Sequence, residues 1–195
     1  YVFKKNKDKK DDFMYCVYVV IATIPAGITG LLLKDKIDST FSTLLSVGIC
    51  LFITGLLLLF IHSQAKHATN EKITLKTSIL MGFAQIIGLL PGISRSGSTT
   101  SFGVVNNTDL KAALRFSFMM YIPISIASLF LGIIDLDPNN TYFPGYLGAF
   151  IASILGTYFA IKYFFKLVQK DNLKYFGYYC LIISISILIY IIITL

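Results

Sequence analysis

Long apolar runs alternate with short polar segments along this chain, and the runs have the length of membrane-crossing helices. Five windows carry almost no charge: Phe13–Leu33, Thr43–Ile61, Ala112–Ile134, Gly145–Phe165 and Tyr175–Leu195. At about 1.5 Å of rise per residue, each window is long enough to cross a hydrocarbon core of roughly 30 Å. The pattern therefore predicts five transmembrane helices.

A further apolar stretch is too short to cross. Ser78–Leu90 has 13 residues, which is about 20 Å as a helix, and Pro91-Gly92 then ends it. Gly97–Val105 forms a second short arm. We predict that residues 78–105 form a re-entrant helix–loop–helix, a structure that membranes tolerate where the irregular backbone is buried in protein or lines a polar cavity. The alternative is a single kinked transmembrane helix from Ser78 to Val105.

Composition agrees with this pattern, because 55% of the residues are hydrophobic and 14% are charged, as in integral membrane proteins. The predicted fold class is all-α: a polytopic membrane protein with about five transmembrane helices and one re-entrant hairpin. Residues 1–12 are predicted to be a lysine-rich cytoplasmic tail or loop, and residues 13–195 to be the membrane domain. For so apolar a chain we expect no nucleic-acid partner.

Charge predicts how the helices are threaded. Lysines cluster in three segments, residues 4–10, 66–76 and 162–174, and the positive-inside rule assigns all three to the cytoplasm. The loop from Asp135 to Phe143 carries two aspartates and no lysine, so we expect it outside, and Lys34–Asp38 is a weaker candidate for an outside loop. This threading requires residues 78–105 to enter and leave on the same side.

The turn between the two short arms is rich in polar groups. From Pro91 to Thr99 the chain places an arginine, three serines, a threonine and two glycines between apolar segments. An arginine at bilayer depth costs roughly 2.5–3.5 kcal/mol on insertion scales, and the nearest acidic residue in sequence, Asp109, is fourteen positions from Arg95. We therefore expect an anionic ligand at Arg95. The alternative is that Arg95 snorkels to the headgroups from a short cytoplasmic turn.

The same turn offers the donors that a phosphate needs. Gly92 and Gly97 let the backbone approach a ligand closely, and the N terminus of the second arm provides unpaired N–H groups. Arg95 adds a planar fork of donors, and hydroxyls come from Ser94, Ser96, Ser98 and Thr99. Each hydroxyl has an alternative role in capping the short helix. The spacing alone predicts an anion and does not single out phosphate.

These residues resemble a known family. The strings that carry the resemblance are Ala22–Gly30, Gly82–Gln85, Leu89–Thr99, Ala113–Phe118 and Ile122-Pro123. They are similar to the second half of the bacterial undecaprenyl-diphosphate phosphatases of the bacitracin-resistance type, from about residue 15 to the end. The resemblance implies two inverted repeats, each with a re-entrant hairpin, of which this chain would hold the C-terminal one.

The resemblance implies hydrolysis of undecaprenyl diphosphate to undecaprenyl phosphate and phosphate, which recycles the lipid carrier for cell-wall synthesis at the bacterial plasma membrane. It implies catalytic roles for Arg95 and Ser94. The substrate-binding residues that it implies are Ser96, Gly97, Ser98, Thr99, Gln85 and Arg115, with snorkelling as the alternative for Arg115. It also implies a divalent cation, Mg²⁺ or Ca²⁺, a polyprenyl diphosphate lipid in the bilayer, and a homodimer.

Part of the family pattern is absent from this chain. A glutamate-rich helix followed by a Ser-Gly-His loop belongs to the first repeat and does not occur, and the single glutamate is Glu71. His62 and His67 are predicted in a polar loop without ligand spacing. We therefore expect no metal ligand here, and we expect the chain to hold half of a site that is inactive without the missing N-terminal repeat. The alternative function is a secondary transporter or lipid flippase with an anion-binding re-entrant loop.

Overall fold

The computed structural model describes residues 2–134, 143–168 and 172–194, and these residues form helices joined by short turns. The helices are α1 Val2–Phe41, α2 Leu44–Gln64, α3 Leu75–Ile87, α4 Arg95–Val105, α5 Leu110–Ile134, α6 Phe143–Val168 and α7 Leu173–Thr194. Five helices, α1, α2, α5, α6 and α7, are long and apolar enough to cross a membrane. The all-α polytopic fold class is therefore confirmed.

The first helix extends beyond its apolar window at both ends. Residues 2–12 are helical and continuous with the segment Lys10–Leu33 that is suited to crossing a membrane, so the lysine-rich stretch is not a loop. The prediction of a loop at Lys34–Asp38 is wrong, because α1 continues to Phe41 and residues 31–41 contain no proline or glycine that would end it. The turn falls at Ser42, and Thr43 is the N-cap of α2. The division of the chain at residue 12 stays a prediction.

Helices α2 and α7 form a close antiparallel pair. Gly48 lies opposite Ser184, whose hydroxyl donates a 2.7 Å hydrogen bond to the Gly48 carbonyl. Further along, a Cβ on Gly55 would lie 3.0 Å from the Gly177 carbonyl oxygen. Small residues at this crossing let the two backbones approach, which is how helices associate in membranes without a hydrophobic driving force.

Helices α3 and α4 form the helix–loop–helix that the sequence predicts. Helix α3 contacts α1, and α4 contacts α2 and α5. The contact with α1 is close, because a Cβ on Gly82 would lie 2.5 Å from the Ala22 carbonyl oxygen. Apolar core residues around this contact include Met81, Phe116 and Met120, all fully buried. One face of the hairpin thus packs against membrane-length helices, while Phe83 and Val105 remain exposed.

The two ends of the hairpin meet. The Asn70 amide donates to the Asn107 carbonyl at 3.0 Å, and the Asp109 amide donates to the Asn70 carbonyl at 2.8 Å. The Asn106 side chain also donates to the Thr77 hydroxyl. The chain therefore returns to the side from which it starts, and the alternative of one kinked helix across the membrane is wrong.

Local capping sets the limits of the two arms. The first arm begins earlier than predicted because the Thr74 side chain accepts a 3.2 Å hydrogen bond from the Thr77 amide, and it ends at Ile87 because Gly88 is the C-cap. The second arm begins at Arg95 because Ser94 caps it.

The described lysine-rich segments lie at one end of the molecule. Lys72 in the loop after α2 forms a 3.1 Å ion pair with Asp11 of α1. Leu173, at the start of α7, lines a cavity together with Ile61 in the last turn of α2. This arrangement fits the predicted threading. Residues 135–142, which make up nearly all of the predicted outside loop, and Lys170 lie outside the described residues.

Candidate active site

The loop between α3 and α4 is pressed against α2. Gly92 has a φ of +95°, a conformation that L side chains rarely adopt. A Cβ there would also lie 2.8 Å from the Val47 carbonyl oxygen and 2.9 Å from the Cys50 Cβ. Glycine is therefore required at this position for both conformational and steric reasons.

Thr54 of α2 joins the tip of the hairpin to that helix. Its hydroxyl donates a 2.9 Å hydrogen bond to the Gly92 carbonyl and accepts a 3.0 Å hydrogen bond from the Ser94 amide. Thr54 is ten residues from each end of α2, which is about 15 Å of helix. The tip is thus level with the middle of a membrane-length helix, whereas the snorkelling alternative puts Arg95 in a surface turn.

Ser94 caps the N terminus of α4. Its hydroxyl accepts a 3.1 Å hydrogen bond from the Gly97 amide, which is the capping role considered for these hydroxyls. The amides of Arg95 and Ser96 donate to no acceptor in the described part of the chain. Two free N–H groups and the positive end of the helix dipole therefore remain at this terminus.

Arg95 is half-buried at the first position of α4. Its guanidinium carbon lies 5.6 Å from the centre of the Tyr121 ring on α5, an arrangement that favours a cation. Within residues 2–134, 143–168 and 172–194, the guanidinium makes no hydrogen bond and no ion pair. Its donors are therefore free to bind an anion. Tyr121 lies outside the strings that the sequence singled out.

The remaining hydroxyls of the string divide into two groups. The Ser98 hydroxyl donates to the Ser94 carbonyl at 3.0 Å, and the Thr99 hydroxyl lies 3.0 Å from the Arg95 carbonyl and 2.6 Å from the Ser117 hydroxyl. These two residues stabilise α4 and its contact with α5. Ser96, by contrast, has no side-chain partner among the described residues.

Gln85 and Arg115 lie at different distances from the tip. Gln85 is buried in the last turn before the loop, and its Oε1 accepts no hydrogen bond in the described part of the structure. Arg115 is exposed and lies six residues before Tyr121 on α5, about 9 Å along that helix. The structure thus brings residues 94–99 together and leaves Arg115 nearer the base of the hairpin.

A cavity of about 130 Å³ adjoins the N terminus of α4. Ser94, Ser96 and Thr100 contribute its polar edge, and Leu58, Leu114, Phe164, Phe176 and other apolar residues contribute its walls. The Thr100 hydroxyl is buried and has no partner among the described residues. The sequence did not single out Thr100, because one more threonine in a hydroxyl-rich string carries no distinct signal.

The donor set at the tip fits an anion and does not fit a metal ion. Amide N–H groups and a guanidinium donate hydrogen bonds, whereas Mg²⁺ and Ca²⁺ require oxygen ligands. The described residues contain no group of three or more His, Cys, Asp or Glu side chains suited to a metal. His62 belongs to the last turn of α2, where the sequence predicted a loop, and His67 follows in the turn.

The fold and this site together define a class: a polytopic helical membrane protein with a re-entrant hairpin whose tip presents free hydrogen-bond donors. Residues 1–186 match the family described as bacitracin resistance protein BacA, and the chain belongs to that family.

Similar proteins carry a consistent name. The chain is 42% identical over 193 residues to undecaprenyl-diphosphatase 2 of Bacillus thuringiensis (strain Al Hakam), with 97% of this chain and 72% of the relative covered. It is 39% identical over 196 residues to the undecaprenyl-diphosphatase of Oceanobacillus iheyensis, with 97% and 71% covered. Undecaprenyl-diphosphatase 1 of Shouchella clausii is 33% identical over 196 residues with the same coverage.

Proposed function

We propose that this protein hydrolyses undecaprenyl diphosphate to undecaprenyl phosphate and phosphate, and that the hairpin tip is where the diphosphate binds. Membership of the bacitracin resistance family and the names of the relatives support the reaction. The proposed binding position of the diphosphate rests on Arg95. This half-buried cation is stacked on Tyr121 and has no anionic partner in the described part of the chain. An arginine level with the middle of α2 is costly without a counter-charge, and a diphosphate supplies one.

The chemistry at the tip is charge stabilisation. Water attacks the terminal phosphorus, the bond from that phosphorus to the bridging oxygen breaks, and the lipid leaves as its monophosphate. Negative charge on the phosphoryl oxygens is stabilised by the Arg95 fork and by the free amides of Arg95 and Ser96. Such preorganised donors are most effective where water is excluded.

The other residues have proposed roles that follow from their contacts. Ser94 caps α4 and lies at the edge of the site, and the Ser96 hydroxyl is free to bind a phosphoryl oxygen. Gly97 leaves room beside Ser94, because a Cβ at Gly97 would lie 3.0 Å from the Ser94 Cβ and hydroxyl oxygen. Ser98, Thr99 and Gln85 support the loop, and Arg115 interacts with the lipid phosphates from the base of the hairpin.

Some expectations from the resemblance remain proposals. A divalent cation would need ligands other than the donors at the tip, so no step above depends on it. The bacterial plasma membrane is the proposed location, and a second copy of the chain is a proposed partner.

Proteoliposomes test the reaction against the transporter and flippase alternative. The protein in its natural full length is reconstituted, and two quantities are measured: phosphate released from undecaprenyl diphosphate, and movement of that lipid between leaflets. We expect phosphate release on the accessible leaflet at a rate that does not depend on lipid movement. Movement of intact diphosphate without phosphate release would contradict the proposal.

A further inference from the structure

We infer that Thr54 is a positioning residue for the hydrolysis. In the described part of the chain it makes no hydrogen bond to Arg95 or to the free amides of α4, yet its hydroxyl fixes the backbone from which those groups extend. This role rests on the proposed function and adds a residue from α2, a helix outside the hairpin.

The Thr54 hydroxyl forms hydrogen bonds with two backbone groups, one before and one after Ile93. Thr54 donates to the Gly92 carbonyl at 2.9 Å and accepts from the Ser94 amide at 3.0 Å. Ser94 then accepts from the Gly97 amide at 3.1 Å. Thr54 is buried, so water does not compete for these bonds. The orientation of the first turn of α4, and with it the direction of Arg95, follows from this chain of bonds.

The loop has few other attachments. Within residues 88–94, the remaining backbone hydrogen bonds stay inside the hairpin: the amides of Gly88, Leu89, Leu90 and Ile93 donate to its carbonyls, and the Ser94 carbonyl accepts from the Ser98 amide. Among the described residues, both hydrogen bonds from this loop to another helix involve Thr54. Without them, the tip would be held only by its close packing against α2 at Gly92 and by the contact of Arg95 with Tyr121.

Two substitutions test the role through the kinetic constants of the full-length protein. Thr54→Val keeps the shape and removes both hydrogen bonds, so we expect kcat to fall about 10- to 100-fold, because small displacements of catalytic groups have effects of that size. We expect KM to change less than about threefold, since the lipid-binding surfaces are intact. Thr54→Ser retains the hydroxyl and should keep kcat within about threefold of the wild type.

Ser184→Ala provides a matched control. It removes another buried interhelical hydrogen bond to α2, the 2.7 Å bond from Ser184 to the Gly48 carbonyl, on the face of α2 that contacts α7. We expect its kcat to stay within about threefold of the wild type even if its melting temperature falls as much as that of Thr54→Val. An equal loss of kcat in Ser184→Ala would overturn the positioning role.

Hydrogen exchange on the wild-type protein gives a test that does not depend on folding of a variant. The Ser94 amide, which donates to Thr54, should exchange more slowly than the amides of Arg95 and Ser96, which have no acceptor. Equal exchange rates, or a Thr54→Val protein with near-normal kcat, would overturn the inference. A wild-type protein that releases no phosphate would contradict the proposed function instead, and the exchange pattern would still decide whether Thr54 fixes the tip.

Discussion

At the hairpin tip, the Arg95 guanidinium is held in place while its N–H groups stay free to bind an anion. The Tyr121 ring lies beneath the Arg95 guanidinium and orients it through its π face, so the N–H groups remain free. A carboxylate in place of the ring would neutralise the charge and compete with the phosphate.

Removing the Tyr121 ring should weaken catalysis. Tyr121→Leu loses the cation–π contact, and we expect kcat/KM to fall about fivefold, equivalent to about 1 kcal/mol. Tyr121→Phe keeps a ring and should stay within about twofold of the wild type. Phosphate release from undecaprenyl diphosphate measures both. Equal losses in the two variants would mean that the hydroxyl matters and the ring does not.

The contact between Thr99 and Ser117 should be measurable as a coupling free energy. Their hydroxyls are 2.6 Å apart and buried, so Thr99→Val and Ser117→Ala should each lower the free energy of unfolding by about 1–3 kcal/mol. The double variant should lose less than the sum, with a coupling of about 0.5–3 kcal/mol.

Ser101→Ala is the control for this cycle, since the Ser101 hydroxyl donates only within α4, to the Gly97 carbonyl. Combined with Ser117→Ala, it should give an additive loss. Additivity in the Thr99 cycle as well would contradict the proposed link between α4 and α5.

The sequence predicts the hairpin tip of this site but not the residues of α2 and α5 that contact it. Residues 91–99 indicate an anion site because arginine, glycine and hydroxyl residues are unusual between apolar segments. Which hydroxyl caps the helix and which stays free depends on neighbours that the fold brings in. Thr54 and Tyr121 lie in apolar helices, where one threonine or tyrosine is ordinary and gives no signal.

For the helices, the lengths of the apolar runs in the sequence predict which ones cross the membrane and which two form the short arms of the hairpin. They do not predict the helix ends, because capping by Thr74 and Ser94 sets them. The loop prediction at Lys34–Asp38 failed for a related reason: charged residues end an apolar run, but only a helix breaker or a cap ends the helix.

Two glycine substitutions test how closely the hairpin packs. Gly82→Ala puts a Cβ 2.5 Å from the Ala22 carbonyl oxygen, so the α1 and α3 backbones must separate, and we expect a loss of about 1–3 kcal/mol in the free energy of unfolding. Gly156→Ala on α6 is the control, since nothing lies within 4 Å of its added Cβ. If both variants are equally stable, α1 and α3 are not in backbone contact.

In the molecule as a whole, the path of the hairpin agrees with the way in which the charges predict that the helices cross the membrane. Because its ends meet at Asn70 and Asn107, the hairpin adds no crossing, and α5 starts on the side where α2 ends. The ion pair between Asp11 and Lys72 joins the first and second lysine-rich segments on that side. The side that faces the cytoplasm is a prediction from charge alone.

Cysteine labelling from outside the cell tests this threading. In a variant that lacks Cys16, Cys50 and Cys180, a cysteine at Asn139 should be modified by a membrane-impermeant reagent. Cysteines at Lys72 and Lys170 should be modified only after the membrane is permeabilised. External labelling at Lys170 would mean that the hairpin region crosses the membrane completely.

The hairpin tip is proposed to bind the diphosphate through Arg95, a claim that the substitution Arg95→Lys tests. The lysine keeps the charge but loses the planar fork. Its kcat for phosphate release from undecaprenyl diphosphate, measured beside the wild type in the full-length protein, should fall about 100-fold or more. Its melting temperature should be nearly unchanged, because the guanidinium makes no hydrogen bond or ion pair with the described residues and an ammonium can keep the cation–π contact with Tyr121. Turnover within about threefold of the wild type would contradict the claim.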